Sequence, residues 1–449
     1  MSRVLALRTT RKTYIAVFVL AGAPSLALAI QPPASAQTSA KPPVQGKTHT
    51  LANPLNDYLD EAQKSIDKND FASAIVPLEK FIAEKPDVAF AHFQLAYVYT
   101  ALKRFAEARP ELERAVAIDP KMPEAQLNLG ILLLERDPAA AIAPLSKAVE
   151  LLPAQSRPRF LLGAAQEKTG NLTAAANSYE GAAHLDSSDP EALIHLGTIY
   201  LNLKRAPEAE AKFRAALGMQ PGAPPALLGL AKSLEAQKKP EAAEAYKNYL
   251  ATQPADPGAS SRMVRTLMDQ QKYDEALAEL DRTEAGKPPT LDALRMRADV
   301  QIAQKKWSDA AATIRRAIAL APEDAELHGG LGRVYMQNRD FAAADKELKA
   351  ALALDRNKLA YWKDLSTNYY LGGNFPATLV TLDIIAKVEP PGPGTWFVRA
   401  LCYDKLNQPK PALDAYQKFL DADKGSNPDQ VWQAQQRIKA LKLVLEHKH

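Results

Sequence analysis

Apolar residues recur three and four positions apart along most of the chain, in stretches of about 12–14 residues separated by short polar turns. This spacing gathers them on one side of a helix, so the pattern predicts a succession of short amphipathic helices. We therefore expect an all-α protein.

The pattern also repeats with a nearly constant period. Segments 91–120, 192–221 and 325–356 share a leucine with a small neighbour, an aromatic three residues later, an alanine nine further on, then a bulky residue and another alanine. Each unit ends at a shared position, often a proline: Pro86, Pro120, Pro153, Ser187, Pro221, Pro254, Pro288, Pro322, Arg356, Pro390 and Lys424. Successive ends lie 34 residues apart, or 33 in two places, which gives eleven units in one phase.

Small residues in each unit indicate where two helices approach closely. Glycines recur on the first predicted helix and alanines on the second: Gly130, Gly163, Gly197 and Gly332, then Ala108, Ala209, Ala310 and Ala344. Bulky side chains there would force the two helices apart. The terminal proline ends the second helix, because it lacks an N–H and clashes with the preceding turn.

This period and pattern resemble the tetratricopeptide repeat (TPR) family, whose repeat of 34 residues carries aromatic, Leu-Gly, Tyr, Ala, Phe, Ala and Pro positions. The best match is Leu196, Gly197, Tyr200, Ala209, Phe213, Ala216 and Pro221. The resemblance covers about residues 55–424 and implies a right-handed superhelical solenoid of about eleven helix-turn-helix units. Four residues depart from the pattern without breaking its phase: Arg297, Arg399, Gln166 and Gln301.

The C-terminal segment 425–449 is predicted to close the array. Gly425 to Pro428 supplies a helix stop, a cap and a proline at the first helical position. The helix that follows has one apolar face, formed by Val431, Ala434, Ile438, Leu441 and Leu445. Such a helix can cover the last hydrophobic face of an open-ended solenoid.

Residues 1–36 have the layout of a secretory signal peptide, with a basic start, an apolar run from Tyr14 to Ala29 and small residues after it. Cleavage is predicted after Ala36, with Ala29 as the rival position. The run of about 16 residues is shorter than the roughly 20 that span a bilayer, although an uncleaved anchor is the alternative.

Residues 37–54 are polar and proline-containing, which favours a flexible linker. We expect an exported protein, in the periplasm or the medium.

Composition narrows the possible functions. Apolar residues make up 47% of the chain and charged residues 24%, which is typical of a folded soluble protein. The net charge of +4 is carried by four leader residues: Arg3, Arg8, Arg11 and Lys12. The remainder is balanced, which argues against a nucleic-acid surface. A single cysteine, Cys402, excludes intramolecular disulfides and multi-cysteine metal clusters.

The chain shows no enzymatic motif. The leader, linker, repeats and final helix use nearly every residue, so no separate catalytic domain fits, and the common phosphate-binding, zinc-protease and serine-hydrolase motifs are missing from the sequence. His184 and His195 fall in different repeats with no third ligand at a recognisable spacing, which favours ordinary histidines over a metal pair. We predict a protein that is not an enzyme and has no cofactor or metal.

By the TPR resemblance, the first helix of each repeat lines a groove. In repeats two to five the groove positions are apolar: Phe90, Phe93, Tyr97, Leu127, Ile131, Leu134, Phe160, Ile194 and Leu201. In repeats six to ten they include basic residues, Lys232, Arg265, Arg295, Arg333 and Lys363, with Asp292 and Asp299 among them. A peptide with hydrophobic anchors in the first half and acidic groups in the second is the expected ligand. The alternative is that part of this stripe packs against neighbouring repeats.

The predicted function is a non-catalytic scaffold that binds a protein or peptide, with no nucleic-acid partner and with membrane contact only through an uncleaved signal peptide. The chaperone-tail clamp of the family is not matched, because Phe93, Tyr97 and Leu161 stand where it has lysine, asparagine and arginine. The alternative is an accessory subunit of an envelope machine for polysaccharide synthesis, polysaccharide export or outer-membrane assembly. A carbohydrate surface would use exposed aromatics, for which the nearest candidates are Trp362, Tyr370 and Trp396.

Overall fold

The computed structural model describes residues 54–446, and all the regular elements in this range are helices. The predicted signal peptide, nearly all of the linker and the last three residues lie outside the described residues. The chain divides into two compact units, which meet in sequence between Thr252 and Gln253. We call residues 54–252 the N-terminal unit and residues 253–446 the C-terminal unit.

The N-terminal unit contains six helix pairs. Its helices are α1 (Pro54–Asp67), α2 (Phe71–Glu84), α3 (Ala89–Ala101), α4 (Phe105–Ile118), α5 (Pro123–Leu134), α6 (Pro138–Leu151), α7 (Ser156–Lys168), α8 (Leu172–Leu185), α9 (Glu191–Asn202), α10 (Ala206–Met219), α11 (Pro224–Ala236) and α12 (Ala242–Thr252).

The C-terminal unit contains five pairs and a final helix. Its helices are α13 (Pro257–Asp269), α14 (Tyr273–Glu284), α15 (Leu291–Ala303), α16 (Trp307–Leu320), α17 (Ala325–Gln337), α18 (Phe341–Leu354), α19 (Leu359–Leu371), α20 (Phe375–Ala386), α21 (Pro393–Lys405), α22 (Pro409–Ala422) and α23 (Pro428–Glu446). Each odd-numbered helix from α1 to α21 is the first helix of a repeat, and the even-numbered helix after it is the second. The predicted all-α solenoid of helix-turn-helix units is confirmed.

Small residues allow the two helices of a repeat to touch, as the sequence predicts. A Cβ atom at Gly332 would lie 2.7 Å from Cγ of Leu348, and one at Gly197 would lie 2.8 Å from Cζ of Phe213. At Gly130, a Cβ atom would overlap the Leu145 side chain. These glycines are therefore required by the close approach of neighbouring helices, since Cβ atoms do not occupy such distances.

Tight turns connect the two helices of most repeats. The second residue after the first helix has positive φ, and lysine fills this position in four repeats: Lys103, Lys204, Lys238 and Lys305. Glycine fills it at Gly170 and Gly373, where positive φ is adopted without a steric penalty. Several second helices then begin at an Asp or Asn whose side chain accepts a backbone N–H: Asp70, Asp137, Asn171, Asp340 and Asn374.

A side chain on the first helix joins consecutive repeats in both units. The Nε2 atom of His92 lies 2.9 Å from the Pro86 carbonyl, and Nε1 of Trp362 donates to the Arg356 carbonyl at 3.0 Å. Gln126 donates in the same way to the Pro120 carbonyl at 3.1 Å. These contacts satisfy a carbonyl group in the turn that links two repeats.

The two 33-residue repeats lose their residue in different places. In repeat three the missing residue falls at the end of α5, which has 12 residues where α3 and α7 have 13, and the turn to α6 contains no positive φ. In repeat six it falls after Lys238, and α12 has 11 residues where the other second helices have 12 to 14. The N-terminal unit ends with this shortened helix.

The final helix, α23, caps the C-terminal unit. Ala434, Ile438 and Leu441 are buried in a cluster with Tyr416 and Phe419 of α22. Its outer face is exposed and includes Trp432, which is 64% exposed. Of the helices between residues 54 and 446, none combines the length and the apolarity that a membrane span requires.

Candidate functional site

The predicted apolar groove of the N-terminal unit is largely closed. Phe93, Leu127 and Ile131 are 1%, 0% and 4% exposed, and Leu134 is also buried. All four belong to one hydrophobic cluster. The prediction that these side chains line an open groove is wrong, because α3 and α5 are buried on nearly all sides and pack against helices before and after them.

The other apolar positions keep part of their surface. Phe90 is 37% exposed, and the remaining four, Tyr97, Phe160, Ile194 and Leu201, are half-buried. The ring of Phe160 packs edge-on against Tyr179, with centroids 5.3 Å apart. These side chains therefore contribute to packing as well as to the surface.

His195 belongs to the same aromatic cluster and not to a metal pair. Its ring stacks on Tyr179 at 5.0 Å, and its Nδ1 atom lies 3.1 Å from Oε2 of Glu167. Burial would raise the pKa of Glu167, but hydrogen bonds from His195 and Tyr179 outweigh it and lower that pKa. Within residues 54–446, no group of three His, Cys, Asp or Glu side chains could hold a metal ion.

The first helices of the C-terminal unit form a charged surface. We call the surface along α15, α17, α19 and α21 the first-helix groove. Three of the predicted basic residues, Arg295, Arg333 and Lys363, lie on these helices and are exposed, as the sequence predicts. Lys232 is half-buried on α11 and Arg265 is exposed on α13, outside this groove, and neither forms an ion pair with another described residue.

Each of these three residues is paired with a carboxylate. Arg295 donates to Asp324, and Nη1 of Arg333 donates to Oδ2 of Asp364 at 3.1 Å. Lys363 donates to Oε2 of Glu389 at 2.8 Å. These three residues therefore leave no unpaired positive charge for an acidic ligand, which corrects the interpretation of the three as a basic surface.

Two cavities open along the first-helix groove. The larger one, about 630 Å³, lies between α15 and α17 and is also lined by α16. Its apolar lining includes Leu294, Ile302, Trp307, Ile314 and Val334. The smaller one, about 350 Å³, lies between α19 and α21 and includes Thr367, Tyr370 and Val398. Apolar cavities with a few polar groups at the edge are typical of ligand sites.

Four charged side chains stand at the larger cavity: Arg295, Asp299, Glu326 and Arg333. Asp299 differs from the others, since it forms no hydrogen bond or ion pair with any described residue. Partial burial raises its pKa, while the positive charge of Arg295 opposes that effect. Asp299 is therefore an unpaired carboxylate beside an apolar cavity.

Family models of the tetratricopeptide repeat match most of the chain. The matched residues are 65–129, 107–156, 160–224, 196–260, 261–325, 301–369 and 395–426. The chain belongs to the tetratricopeptide repeat family. The predicted resemblance is thereby confirmed, and the catalytic families find no support in these matches. A comparison with curated protein sequences finds no match.

Solved structures of other proteins resemble this chain remotely. MamA 41-end from Desulfovibrio magneticus RS-1 is 18% identical over 38% of this chain and 98% of its own, with a TM-score of 0.36. YrrB, a TPR protein with an unusual peptide-binding site, is 19% identical over 43% and 97%, with a TM-score of 0.38. Yeast Tom70 is 13% identical over 88% and 96%, with a TM-score of 0.33.

Sequence reasoning missed the acidic partners in this TPR chain. Asp324, Asp364 and Glu389 follow their basic partners by 29, 31 and 26 residues, which is somewhat less than one repeat. For Asp324 and Asp364 this offset is the signal that could have identified them, because consecutive repeats place residues about one repeat apart close together. Glu389 lies in the turn after α20, in the same repeat as Lys363. The lone Cys402 is buried, and burial raises its pKa to about 11, so its thiol stays protonated near neutral pH.

Proposed function

We propose that this TPR protein is a non-catalytic scaffold that binds a segment of a partner protein in the first-helix groove of the C-terminal unit. The observation that carries the proposal is the cavity of about 630 Å³ between α15 and α17. It combines an apolar lining with charged groups at its edge, an arrangement that orients a ligand and fixes its register. The TPR family and the peptide-binding site named for YrrB support the same role.

The second cavity, between α19 and α21, continues the binding surface along the row of first helices. A segment lying across α15 to α21 could place one apolar side chain in each cavity and pass the ion pairs between them. Arg333, at the edge of the larger cavity, and Asp364 on α19 are already paired at 3.1 Å. Because this pair leaves no net charge, the middle of the groove should contribute less to recognition than the two cavities.

A role in binding polysaccharide has weaker support. Trp362 and Trp396 are half-buried, and Nε1 of Trp362 already donates to a backbone carbonyl. Trp396 is covered by Arg399 and Lys418, whose charged groups lie 5.6 and 4.9 Å from its ring centre. Aromatic rings engaged in this way offer little surface for stacking on a sugar.

Photo-crosslinking in the native cell tests the scaffold. A photoreactive amino acid at Gln337 or Thr367, which are exposed in the groove, should capture the same contiguous segment of one partner. Matched control positions are Arg316 on α16 and Lys346 on α18, which are exposed on second helices. Capture from the control positions alone, or of unrelated proteins from all four positions, would contradict the proposed groove.

We also propose that the scaffold acts outside the cytoplasm, in the cell envelope or the medium. The support is the basic start, apolar run and small residues of segment 1–36. Amino-terminal sequencing of the protein from fractionated cells tests it. A chain beginning at Gln37, or at Ile30 by the alternative cleavage, is expected in the exported fraction. A chain that keeps its leader in the cytoplasmic fraction would refute export.

A further inference from the structure

We propose that the larger cavity of the first-helix groove takes a cationic segment of a partner protein, with a lysine or arginine next to a large apolar side chain. This inference rests on the function proposed above and names the chemistry of the ligand. It reverses the acidic ligand that the sequence predicts for this half of the chain.

The balance of charge around the cavity carries the inference. Two guanidinium groups, those of Arg295 and Arg333, stand at its edge. Four carboxylates surround them: Asp299 and Glu326 in the lining, and Asp324 and Asp364 as the hydrogen-bond partners of the two arginines. The excess of negative charge attracts a cationic ligand and repels an acidic one.

Asp299 is the group that would receive the ligand's charge. Arg295 lies one helical turn before it on α15, but its guanidinium is directed to Asp324. Glu326 is partly engaged, with its Oε1 atom 3.9 Å from Nη2 of Arg333. Asp299 has no such partner among the described residues, and partial burial raises its pKa. A lysine or arginine from a partner would supply the missing hydrogen bonds and charge.

The apolar requirement comes from the residues next to Asp299. Ile302 follows Asp299 by three positions on α15, so both side chains lie on one face of the helix. Across the cavity, Val334 follows Arg333 on α17, and Trp307 and Ile314 contribute from α16. A volume of about 630 Å³ accommodates more than one large side chain, so an apolar residue and the stem of a lysine or arginine fit together.

Peptide selection on the full-length protein tests this inference. The probe is a displayed library of random peptides of about 12 residues, selected for binding to the wild type. We expect the selected peptides to carry a lysine or arginine beside Leu, Ile, Phe or Trp. Their binding, measured by fluorescence anisotropy, should weaken as the salt concentration rises from about 0.05 to about 0.5 M, because salt screens an ion pair at the protein surface.

Two variants test whether Asp299 is the carboxylate that pairs with the peptide's cation. Asp299→Asn should weaken binding of the selected peptide about tenfold, because the partner of its cation is removed. Asp309→Asn is the matched control: Asp309 is exposed on the second helix α16 and lies outside the cavity lining, so it should change binding less than about twofold. Circular dichroism checks that both variants remain helical. Replacing the peptide's cation with glutamine should abolish the difference between wild type and Asp299→Asn.

The outcomes separate this inference from the proposed function. Selection of acidic peptides, or equal binding by wild type and Asp299→Asn, would overturn the cationic ligand. If crosslinks at Gln337 and Thr367 nevertheless map to one partner segment, the proposed scaffold function is supported. Its ligand then has a chemistry other than the cationic one. No selected peptide together with no crosslinked segment would overturn both.

Discussion

The first helices of the two units use the same repeat in opposite ways. In the N-terminal unit, α3 and α5 bury most of their side chains, including Phe93, Leu127 and Ile131. In the C-terminal unit, α15 and α17 expose arginines and leave a cavity between them. One pattern of small and aromatic positions thus supports either a closed apolar core or an open charged surface. The residues that stand between the positions of the repeat pattern decide whether the core or the open surface forms.

The largest expected effect comes from Leu127, which is fully buried. Leu127→Ala should lower the free energy of unfolding by about 2–5 kcal/mol, because it removes buried apolar contacts and leaves a cavity. Phe90→Ala is the matched control from the same predicted groove, and its exposed position should limit the change to about 0.5 kcal/mol. Urea unfolding followed by circular dichroism compares the two. Equal stabilities would show that α5 is not part of a closed core.

The next effect concerns Glu210 on α10. Burial would raise its pKa, but hydrogen bonds from Lys239, Arg214 and Gln237 outweigh burial and lower the pKa to about 2. Glu210→Gln should therefore cost about 1.5–3 kcal/mol of unfolding free energy near neutral pH. Since the folded pKa is depressed, this contribution is present above the unfolded value near 4.3 and is lost as the pH falls toward 2. Urea unfolding between about pH 7 and pH 2 measures the convergence of the two proteins.

A change at Gly130 tests the close approach of α5 and α6. Gly130→Ala should destabilise the protein by about 1–3 kcal/mol, because the added methyl group meets the Leu145 side chain. Gly218→Ala on α10 is the control, since no atom lies within 4 Å of its Cβ position. That substitution should stabilise the helix by up to about 1 kcal/mol. Thermal unfolding measures the melting temperature of both variants. If both temperatures shift in the same direction, the close approach of α5 and α6 at Gly130 is contradicted.

The smallest effect is expected in the groove of the C-terminal unit. A double-mutant cycle of Arg333→Ala and Asp364→Ala should give a coupling of about 0.2–1 kcal/mol, because both side chains reach solvent. The cycle is measured by urea unfolding at low and high salt. A coupling above about 2 kcal/mol would mean that the pair is structural. The expected difference in stability contribution between this exposed ion pair and the buried Leu127 would then disappear.

The repeat was predictable because its signal is local and recurs eleven times. Gly332 and Leu348 meet as the pattern requires, and α23 begins at Pro428 as its cap predicts. The open face was harder to predict. Leu127 stands at a groove position by family resemblance, yet apolar residues surround most of α5, and periodicity cannot assign a single face to such a helix.

Charge pairing was unpredictable for a different reason. The sequence marks Arg295 as a basic groove residue, but its partner Asp324 belongs to the next repeat and also caps α17 through its other oxygen. Which carboxylate faces which arginine depends on how consecutive first helices are offset. That offset is a property of packing between repeats, and no residue within one repeat encodes it.

The ion pairs between repeats also limit how whole repeats can be gained or lost from the array. Arg295 of repeat eight is completed by Asp324 of repeat nine, and Arg333 of repeat nine by Asp364 of repeat ten. Excising the 34 residues of repeat nine would bring Lys358 to the place of Asp324, where it would face Arg295 with the same charge. Repeats eight to ten are therefore not interchangeable modules, and gain or loss of one unit here by recombination carries an electrostatic penalty.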